Sequence, residues 1–516
     1  MANKLLFNSL RNLLHNATET NNAGGRSYKM SAKHALAQYA ATGCMNGTYY
    51  ADATEQLDHV SRLAAEVDAQ FIAKVAIHVR EAGRMKDMPA LICAILSTRD
   101  AKLLERIFPR VIDNGRMLRN FVQIMRSGVV GRRSLGTLPK RLVRQWFANR
   151  TDDQVFKQSV GDSPSFADII RMVHPHPATE SRAAMYAWMI GRKHDAEKLP
   201  LLVREFEAFK NGDRGKVPSV PFQMLTALPL GRKEWVEIAW NMGWHALRMN
   251  INTLVRHEVF NEGGMKMFVA TRLADETEIR RAKAQPYQIF AAYKNIDPNV
   301  PQQIAQALSK AADIAVSNVP VIEGKVYVLL DVSGSMHSPV TGHRAGATTK
   351  VQCVDVAALM AAAIARNNPN AEVIPFSNVV TNMRINSNDS LLANASLLRS
   401  APSGGTDCSA PLMHLNKIGA KGDAIIYVSD NESWMDVSHS RGTAVMDEWE
   451  KFRKRNPHSR LVCIDLQPNT SLTAPNRPDI LNVGGFSDAV FEVLADFVKG
   501  GGNADHWVRR IESVEL

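Results

Sequence analysis

Lys325-Val326-Tyr327-Val328-Leu329-Leu330 runs straight into Asp331-Val332-Ser333-Gly334-Ser335-Met336. The first six residues are mostly apolar and rich in β-branched and aromatic types, which suits a strand buried on both faces. The next six set Asp331, Ser333 and Ser335 at alternate positions, so three small oxygen donors gather just past the strand. Downstream the texture alternates. A helical run over 351–366 precedes a short apolar run over 371–376, a helix near Leu391, a helix after Asp407, a run over 423–428, a helix over 445–455, a run over 460–466 and a last helix over 487–499. Non-alternating apolar strands between helices predict a mostly parallel, doubly wound α/β domain, whose ligand site lies at the carboxyl ends of its strands.

Two further polar stretches fall on such ends: Gly404-Gly405-Thr406-Asp407, and Ser429-Asp430-Asn431-Glu432 after the run over 424–428. A hard cation such as Mg2+ takes oxygen ligands, keeps some waters and needs only one or two carboxylates. Asp331, Ser333, Ser335, Thr406 and Asp430 are therefore candidate ligands for Mg2+ or another divalent cation. Enzyme signatures are lacking: there is no GxxxxGK[ST], GxSxG, HExxH or GxGxxG. Ser333 beside Asp331 has no specified base, so a hydrolase ranks last and a non-enzymatic protein is expected. Gly484-Gly485 and Gly500 to Gly502 read as turn and cap residues.

Moving toward the N-terminus, the texture changes at Val319-Pro320-Val321. A chain of 516 residues exceeds what one core can hold, and the boundary is drawn there, giving domains 1–320 and 321–516. From 31 to 317 the periodicity is helical, as in Phe71, Ile72, Val75, Ala76 and Val79 on one face with Lys74, His78 and Glu81 on another. Short Gly and Pro punctuators separate the segments, which predicts an α-solenoid or a closed ring of helical hairpins. No strict repeat fixes its period.

The net charge of +11 divides unevenly. Residues 1–320 hold 44 Lys+Arg against 30 Asp+Glu, and residues 321–516 hold 18 against 21, so the parts carry +14 and −3. A basic excess confined to the helical part suits either a polyanionic partner such as nucleic acid or a merely soluble surface. Two segments concentrate it. Residues 130–150 contain Arg132, Arg133, Lys140, Arg141, Arg144 and Arg150 around Trp146 and Phe147, and residues 157–177 contain Lys157, Arg171, His174 and His176. Either they hold phosphates, or they are a solvated face over a core that takes up Trp146 and Phe147. Five scattered cysteines without a CxxC pair favour free thiols in a reducing compartment, and no apolar run is long enough for a membrane span or a signal segment. A cytoplasmic protein without membrane contact is expected.

The spacing DxSxS after the first strand, a Thr in a later polar loop and an Asp after a further strand resembles the metal-ion-dependent adhesion site of von Willebrand factor A domains. Together with GRMKDMPALICAIL, QWFANR, FADIIRMVHPHP, DVSGSM, GGTDC and VSDNESW, the whole chain resembles the Ro family, whose helical (TROVE) module is shared with telomerase and vault proteins. The resemblance implies a HEAT-like ring of helical repeats followed by the adhesion-type domain. It further implies Mg2+ with one position open to a partner's acidic group, a central hole for the 3′ ends of misfolded noncoding RNAs, an outer surface for a small Y-like RNA, and a role in RNA quality control alongside an exoribonuclease; no DNA partner is implied. By position in the matching segment, Lys157 and His174 become outer RNA contacts. Gly161 stands where the family has a further basic residue, and Arg171, one turn before His174, is a candidate to compensate. Arg84, Lys86, Arg132, Arg133, Lys140 and Arg141 remain candidates for RNA backbone contacts, the first four for a threaded 3′ tail. The competing reading is a metal-dependent protein-interaction scaffold, with the site around Asp331 gripping a partner carboxylate.

Overall fold

The computed structural model describes residues 16–516 apart from 45, 47, 50–51, 317–318, 320, 344–350, 436–441, 502 and 504. Pro320, the centre of the expected boundary, and Gly502 lie outside the described residues.

Five parallel strands form the central sheet: β3 (Val326–Asp331), β4 (Glu372–Phe376), β5 (Ala424–Ser429), β6 (Arg460–Asp465) and β8 (Ile480–Gly484), in the order β4-β3-β5-β6-β8. Every residue of β3 and β5 is buried. Alternate side chains enter two different cores, as expected for a strand covered on both sides. Val326, Val328, Leu330, Ile426, Val428, Val462 and Ile464 pack with the helices Cys353–Asn367 and Leu391–Arg399. Tyr327, Leu329, Ile425, Tyr427, Leu461 and Cys463 pack with Leu412, Leu415, Trp449 and Phe452 of the helices Ala410–Lys417 and Ala444–Arg455. The strand order reverses at β3, so the ends of β3 and β5 frame the crevice where such sheets bind ligands.

β8 was hidden in the sequence, because ILNVG is short and ends in glycines expected to form a turn. Gly484 is instead the last residue of β8, and a Cβ there would stand 2.1 Å from Gln38 Oε1. Gly485, at φ +114°, makes the turn. Gly500 and Gly501 lie in a π turn over Phe497–Gly501.

A run of helices from Ala32–Thr42 to Gln302–Ala315 precedes the sheet. Asp68 caps the helix Ala69–Glu81 by accepting from Phe71 N, and Phe71, Ile72, Val75, Ala76 and Val79 are buried as the periodicity predicts. Its polar side is a contact too: Lys74 donates to the carbonyl of Glu512 in the helix His506–Glu512. At the other end of the series, Lys294 reaches Asp355 of the helix Cys353–Asn367 at 2.6 Å, and Arg366 reaches Asp313 at 3.0 Å. Both ends of the helical series thus rest on the sheet domain. Before them stands a hairpin of β1 (Glu19–Thr20) and β2 (Arg26–Lys29), and β2 pairs antiparallel with β7 (Ser471–Leu472). Among the described residues no helix is long and apolar enough to cross a membrane, and all five cysteines are free thiols.

His34 of the helix Ala32–Thr42 is 1% exposed and meets Trp507 edge-on at 5.4 Å. Burial lowers its pKa from 6.5 to about 4. A histidine depressed in the folded state gives stability that is present above 6.5 and lost as pH falls toward 4, on the order of 3 kcal/mol in all. Urea unfolding should therefore show stability declining across that window, and His34→Leu should flatten part of the decline. An unchanged profile in the variant would count against this role for His34.

Candidate metal centre and basic face

Asp331 ends β3, and its backbone N–H neighbours fix the loop that follows. Ser333 N donates to Asp331 Oδ1 at 2.8 Å, and Ser429 Oγ at the end of β5 donates to Asp331 Oδ2 at 2.5 Å. The hydroxyls of Ser333 and Ser335 stand 3.4 Å apart, and Ser335 lies near enough to Asp430 to favour its charged form. Gly334 N donates to Gly404 O at 3.0 Å, tying this loop to the one bearing Thr406. The Thr406 carbonyl in turn accepts from Trp434 N at 3.1 Å and Met435 N at 3.0 Å. Three separate loops are thereby laced into one pocket wall, and Asp331, Ser333, Ser335, Thr406 and Asp430 are all buried. Neither glycine of the Gly404-Gly405 pair can carry a side chain without movement, since a Cβ would lie 2.6 Å from Asn378 Oδ1 or 2.0 Å from Met435 Sδ.

The electrostatics are strained in one direction. Burial raises the Asp331 carboxyl above its ordinary value despite hydrogen bonds from Ser429 and Ser333. Asp430 is raised by burial first and then by the charge of Asp331. Asp430 Oδ1 accepts from Glu432 N at 3.3 Å, while Oδ2 has no donor among the described residues. Two buried carboxylates beside three hydroxyls, with one oxygen left bare, suit a hard cation bound by oxygen. The residues present fit that group. No cluster of three or more His, Cys, Asp and Glu side chains has metal-holding geometry among the described residues, so hydroxyl ligands are essential to any such site here.

A neighbour was invisible in the sequence. The β1–β2 hairpin reaches the loop after β5: Asn21 Nδ2 donates to Ser433 O at 2.7 Å, Asn22 Nδ2 to Glu432 Oε1 at 2.8 Å, and Ala23 N to Glu432 Oε2 at 3.2 Å. Glu432 is buried enough for its carboxyl to be pushed up to about 7. Gly25 lies so close that a Cβ would stand 1.9 Å from Ser433 O, a backbone atom that cannot swing away. Gly25→Ala should cost about 1–3 kcal/mol by overpacking, which a melting curve would register. A melting temperature equal to that of the parent would show that the hairpin does not grip the loop.

The basic candidates sit apart from this pocket. Lys157 is in the last turn of the helix Asp152–Gln158, and His174, left-handed at φ +47°, is exposed at the end of the helix Phe166–Val173. Arg171 is exposed but engaged, with Asp168 Oδ1 at 3.5 Å and Ile190 O at 2.7 Å. The space at Gly161 is filled from elsewhere: a Cβ there would be 2.7 Å from Cζ of Arg119, whose Nη1 donates to Gln158 O at 3.3 Å. Arg119 belongs to the helix Gly115–Ser127, which docks end-on because Gly115 N donates to Gln158 Oε1 at 2.8 Å. Nothing in the local sequence pairs 119 with 161. Neither Arg116, Arg119 nor Lys157 makes an ion pair among the described residues, whereas Arg141 is paired with Glu105 at 2.8 Å. Lys86 is open to solvent, yet surrounding protein, then Arg116 and Arg80, lower its pKa, and its charge is felt by His245 across the helical series. Arg84, at φ +59°, is exposed nearby, and Arg132, Arg133 and Lys140 lie in and just after the turn from Gly128 to Gly136. Trp146 and Phe147 are core residues; Trp146 Nε1 donates to Ile112 O at 2.8 Å, and Arg150 stacks 3.6 Å above its ring.

Comparison with known proteins agrees with this architecture. The family model described as the Ro60 vWA domain matches residues 325–498. The RNA-binding protein RO60 of Deinococcus radiodurans is 25% identical over 517 aligned positions, covering 93% of this chain and 95% of that protein. The protein of the same name from Caenorhabditis elegans is 23% identical over 247 positions, which span 45% of this chain and 36% of that one. The crystal structure of the Deinococcus radiodurans RO (RSR) protein superposes with a TM-score of 0.62 at 22% identity, over 91% of this chain and all of that one, and so shares the fold. The chain is thus similar to Ro proteins over most of its length, with a Ro60-type vWA domain matched over residues 325–498 and the fold of the Deinococcus radiodurans protein shared.

Proposed function

We propose that the chain is a non-enzymatic RNA-binding protein that holds small structured, Y-like RNA on its outer face and the 3′ ends of faulty noncoding RNAs at its inner one, in RNA quality control or as an adaptor for a nuclease. The observation that supports it most is the group formed by Arg116, Arg119 and Lys157. Arg116 and Arg119 share one helix and feel each other's charge, and that helix meets the end of the helix bearing Lys157 through Gln158. None of the three makes an ion pair among the described residues, and all lie on the part of the chain that carries +14. Unpaired like charges held near each other repel, and a phosphate backbone relieves that repulsion. Two relatives bear the name RNA-binding protein, which supports the same reading. Lys86, whose charge is felt by His245, and Arg84, close to it in the chain, are the candidates for a threaded strand.

Replacing Lys157, Arg171 and His174 together by Ala should weaken a structured stem-loop RNA more than a single strand, since a folded stem is positioned by a defined set of contacts. The control is a triple of Lys198, Arg204 and Lys210, all of them already paired with glutamates. Equal losses for both triples and both RNAs would remove the reading of two distinct RNA surfaces. Arg119→Ala should add to the loss on structured RNA, because its guanidinium occupies the place that Gly161 leaves open.

Mg2+ or another divalent cation would be held by Asp331, Ser333, Ser335, Thr406 and Asp430. When bound it supplies an electrophilic position that a partner's carboxylate can occupy. The second reading, a metal-dependent protein-interaction scaffold, draws on Trp434 and Met435, which are 51% and 43% exposed and border Gly405 on the rim of the same pocket. Loss of a Mg2+-dependent protein partner on Trp434→Ala, with RNA binding intact, would favour it.

A further inference from the structure

Trp235, Trp240 and Trp244 stand close together in the chain, on the helices Arg232–Asn241 and Trp244–Met249. Two of them are fully used by the fold. Trp235 is 4% exposed, with the His257 ring nearly parallel to it at 4.2 Å. Trp244 is also 4% exposed, and its Nε1 donates to Leu273 O at 3.2 Å. Trp240 differs on both counts. It is 51% exposed, and its indole N–H has no acceptor among the described residues.

One face of Trp240 is fixed nonetheless. Phe268 of the helix Met265–Leu273 lies against it, with ring centres 3.7 Å apart and 38° between the planes. Phe268 is half-buried and rests in turn on the core. Arg272, one turn further along, stands 5.5 Å from the centre of the Phe268 ring. Its Nη1 donates to Met242 O at 2.9 Å and Trp240 O at 3.3 Å, and its Nη2 is held by Glu278 at 2.9 Å. The backbone that carries Trp240 is thereby tied to the helix that carries Phe268. An indole covered on one face and still half exposed presents its other face to solvent. Such a ring has little freedom to lose on binding and a large apolar surface to gain from it.

Charge decides what the ring suits. Lys233 precedes Trp240 by seven residues in one helix, so it lies on the same side, about 10 Å along the axis. Lys233 and Lys266 are exposed and make no ion pair among the described residues. The glutamates of the first helix are engaged by the backbone: Glu234 Oε2 accepts from Gly231 N at 2.9 Å, and Glu237 Oε1 from Val217 N at 3.1 Å. A nucleotide offers a π face to the indole and a phosphate to a nearby lysine, whereas an apolar protein surface gains nothing from those cations.

We propose that the open face of Trp240, backed by Phe268, stacks an unpaired nucleobase while Lys233 meets a phosphate of the same strand. The inference rests on the RNA-binding reading above and adds to it a contact with a base, on helices that carry none of the phosphate candidates named so far. A base inside a duplex has no free face, so the contact selects single strands and loops.

The test uses the full chain with three probes: a short oligoadenylate, a ribose-phosphate strand of equal length without bases, and the oligoadenylate annealed to oligouridylate. Trp240→Ala should weaken the oligoadenylate by about tenfold and leave the abasic strand and the duplex unchanged. Trp240→Phe should keep most of the affinity, and Trp240→Leu, apolar but without a π face, should behave like the Ala variant. The salt dependence should keep its slope in Trp240→Ala, which removes no phosphate contact, and lose about one in Lys233→Ala. Equal losses on oligoadenylate and abasic strand overturn the proposal, since the indole then only shapes the fold. Equal affinities of the Phe and Leu variants overturn it too, and point to a merely apolar contact of the kind a protein partner would use. Unchanged oligoadenylate binding in Trp240→Ala sinks the stacking site while the parent's affinity leaves the RNA reading standing; a parent that binds none of the probes ends both. Should Trp240→Ala fail to fold, the Phe and Leu variants on the base-bearing and abasic strands decide alone.

Discussion

Raising the salt from about 50 to about 200 mM should weaken single-stranded RNA binding by the full chain by roughly three-hundredfold, if about six phosphates are neutralised. The expectation follows from where the charge lies, with +14 on residues 1–320 and −3 on residues 321–516. Releasing the counterions condensed on RNA drives such binding, and added salt removes that drive in proportion to the number of phosphates engaged. A plot of log affinity against log salt measures that number. Arg84, Lys86, Arg116 and Arg119 should each lower the slope by about one when replaced by Ala, whereas Arg141, paired with Glu105, should change it less. A flat salt dependence would end the case for a phosphate-reading face, whatever the affinity. Sequence-tolerant binding with a steep slope, by contrast, is what a strand held through its backbone requires.

What the sequence made legible was local, and what it hid was distant. β3 to β6 could be read because each is a short apolar run between helices, and Asp331, Ser333, Ser335, Thr406 and Asp430 could be read because each follows closely on such a run or lies in a short polar loop. The structure brings those five together by stacking parallel strands whose ends share one edge. β8 escaped because two glycines at its end look like a turn, and its last residue is glycine only because Gln38 needs the space. The β1–β2 hairpin and the bond of Gln38 to Asp465 escaped for a stronger reason. Their partners lie more than four hundred positions away, and periodicity carries no information about contacts of that span. Arg119 belongs to the same class. Gly161 looks like a lost charge along the chain, while in space a guanidinium from another helix stands beside it. Arg171, the neighbour in sequence, is already occupied by Asp168. Helical periodicity likewise places Lys74 on a polar face, and only the fold shows that this face meets the C-terminal helix.

Asp430→Ala should abolish stabilisation by Mg2+, which in the parent grows with free metal to about 2.7 kcal/mol at a hundred times Kd. Asp331→Ala should do the same. The two variants are expected to differ in chelator, and that difference is the sharper test. Removing either acid relieves the other of a neighbouring charge, so metal-free variants should lose less stability than a buried hydrogen-bonded group would ordinarily cost, and Asp430→Ala should lose least. Asp331 accepts from Ser429 Oγ and Ser333 N, which its removal leaves bare. Asp430 keeps one oxygen without a donor and is the group most raised by its neighbour's charge. In the presence of Mg2+ the order is set by the cation instead, and both variants should fall below the parent by the full metal-linked increment. Melting shifts with Mg2+ that are equal in parent and variants would show that these carboxylates do not hold it. RNA affinity should survive both changes, since Arg116, Arg119 and Lys157 lie in the helical part and, among the described residues, make no ion pair with the loops at the ends of β3 and β5. A variant that lost RNA binding together with Mg2+ would instead mean that the cation sets the geometry of the helical series through the contacts at its two ends, Lys294 with Asp355 and Gln38 with Asp465.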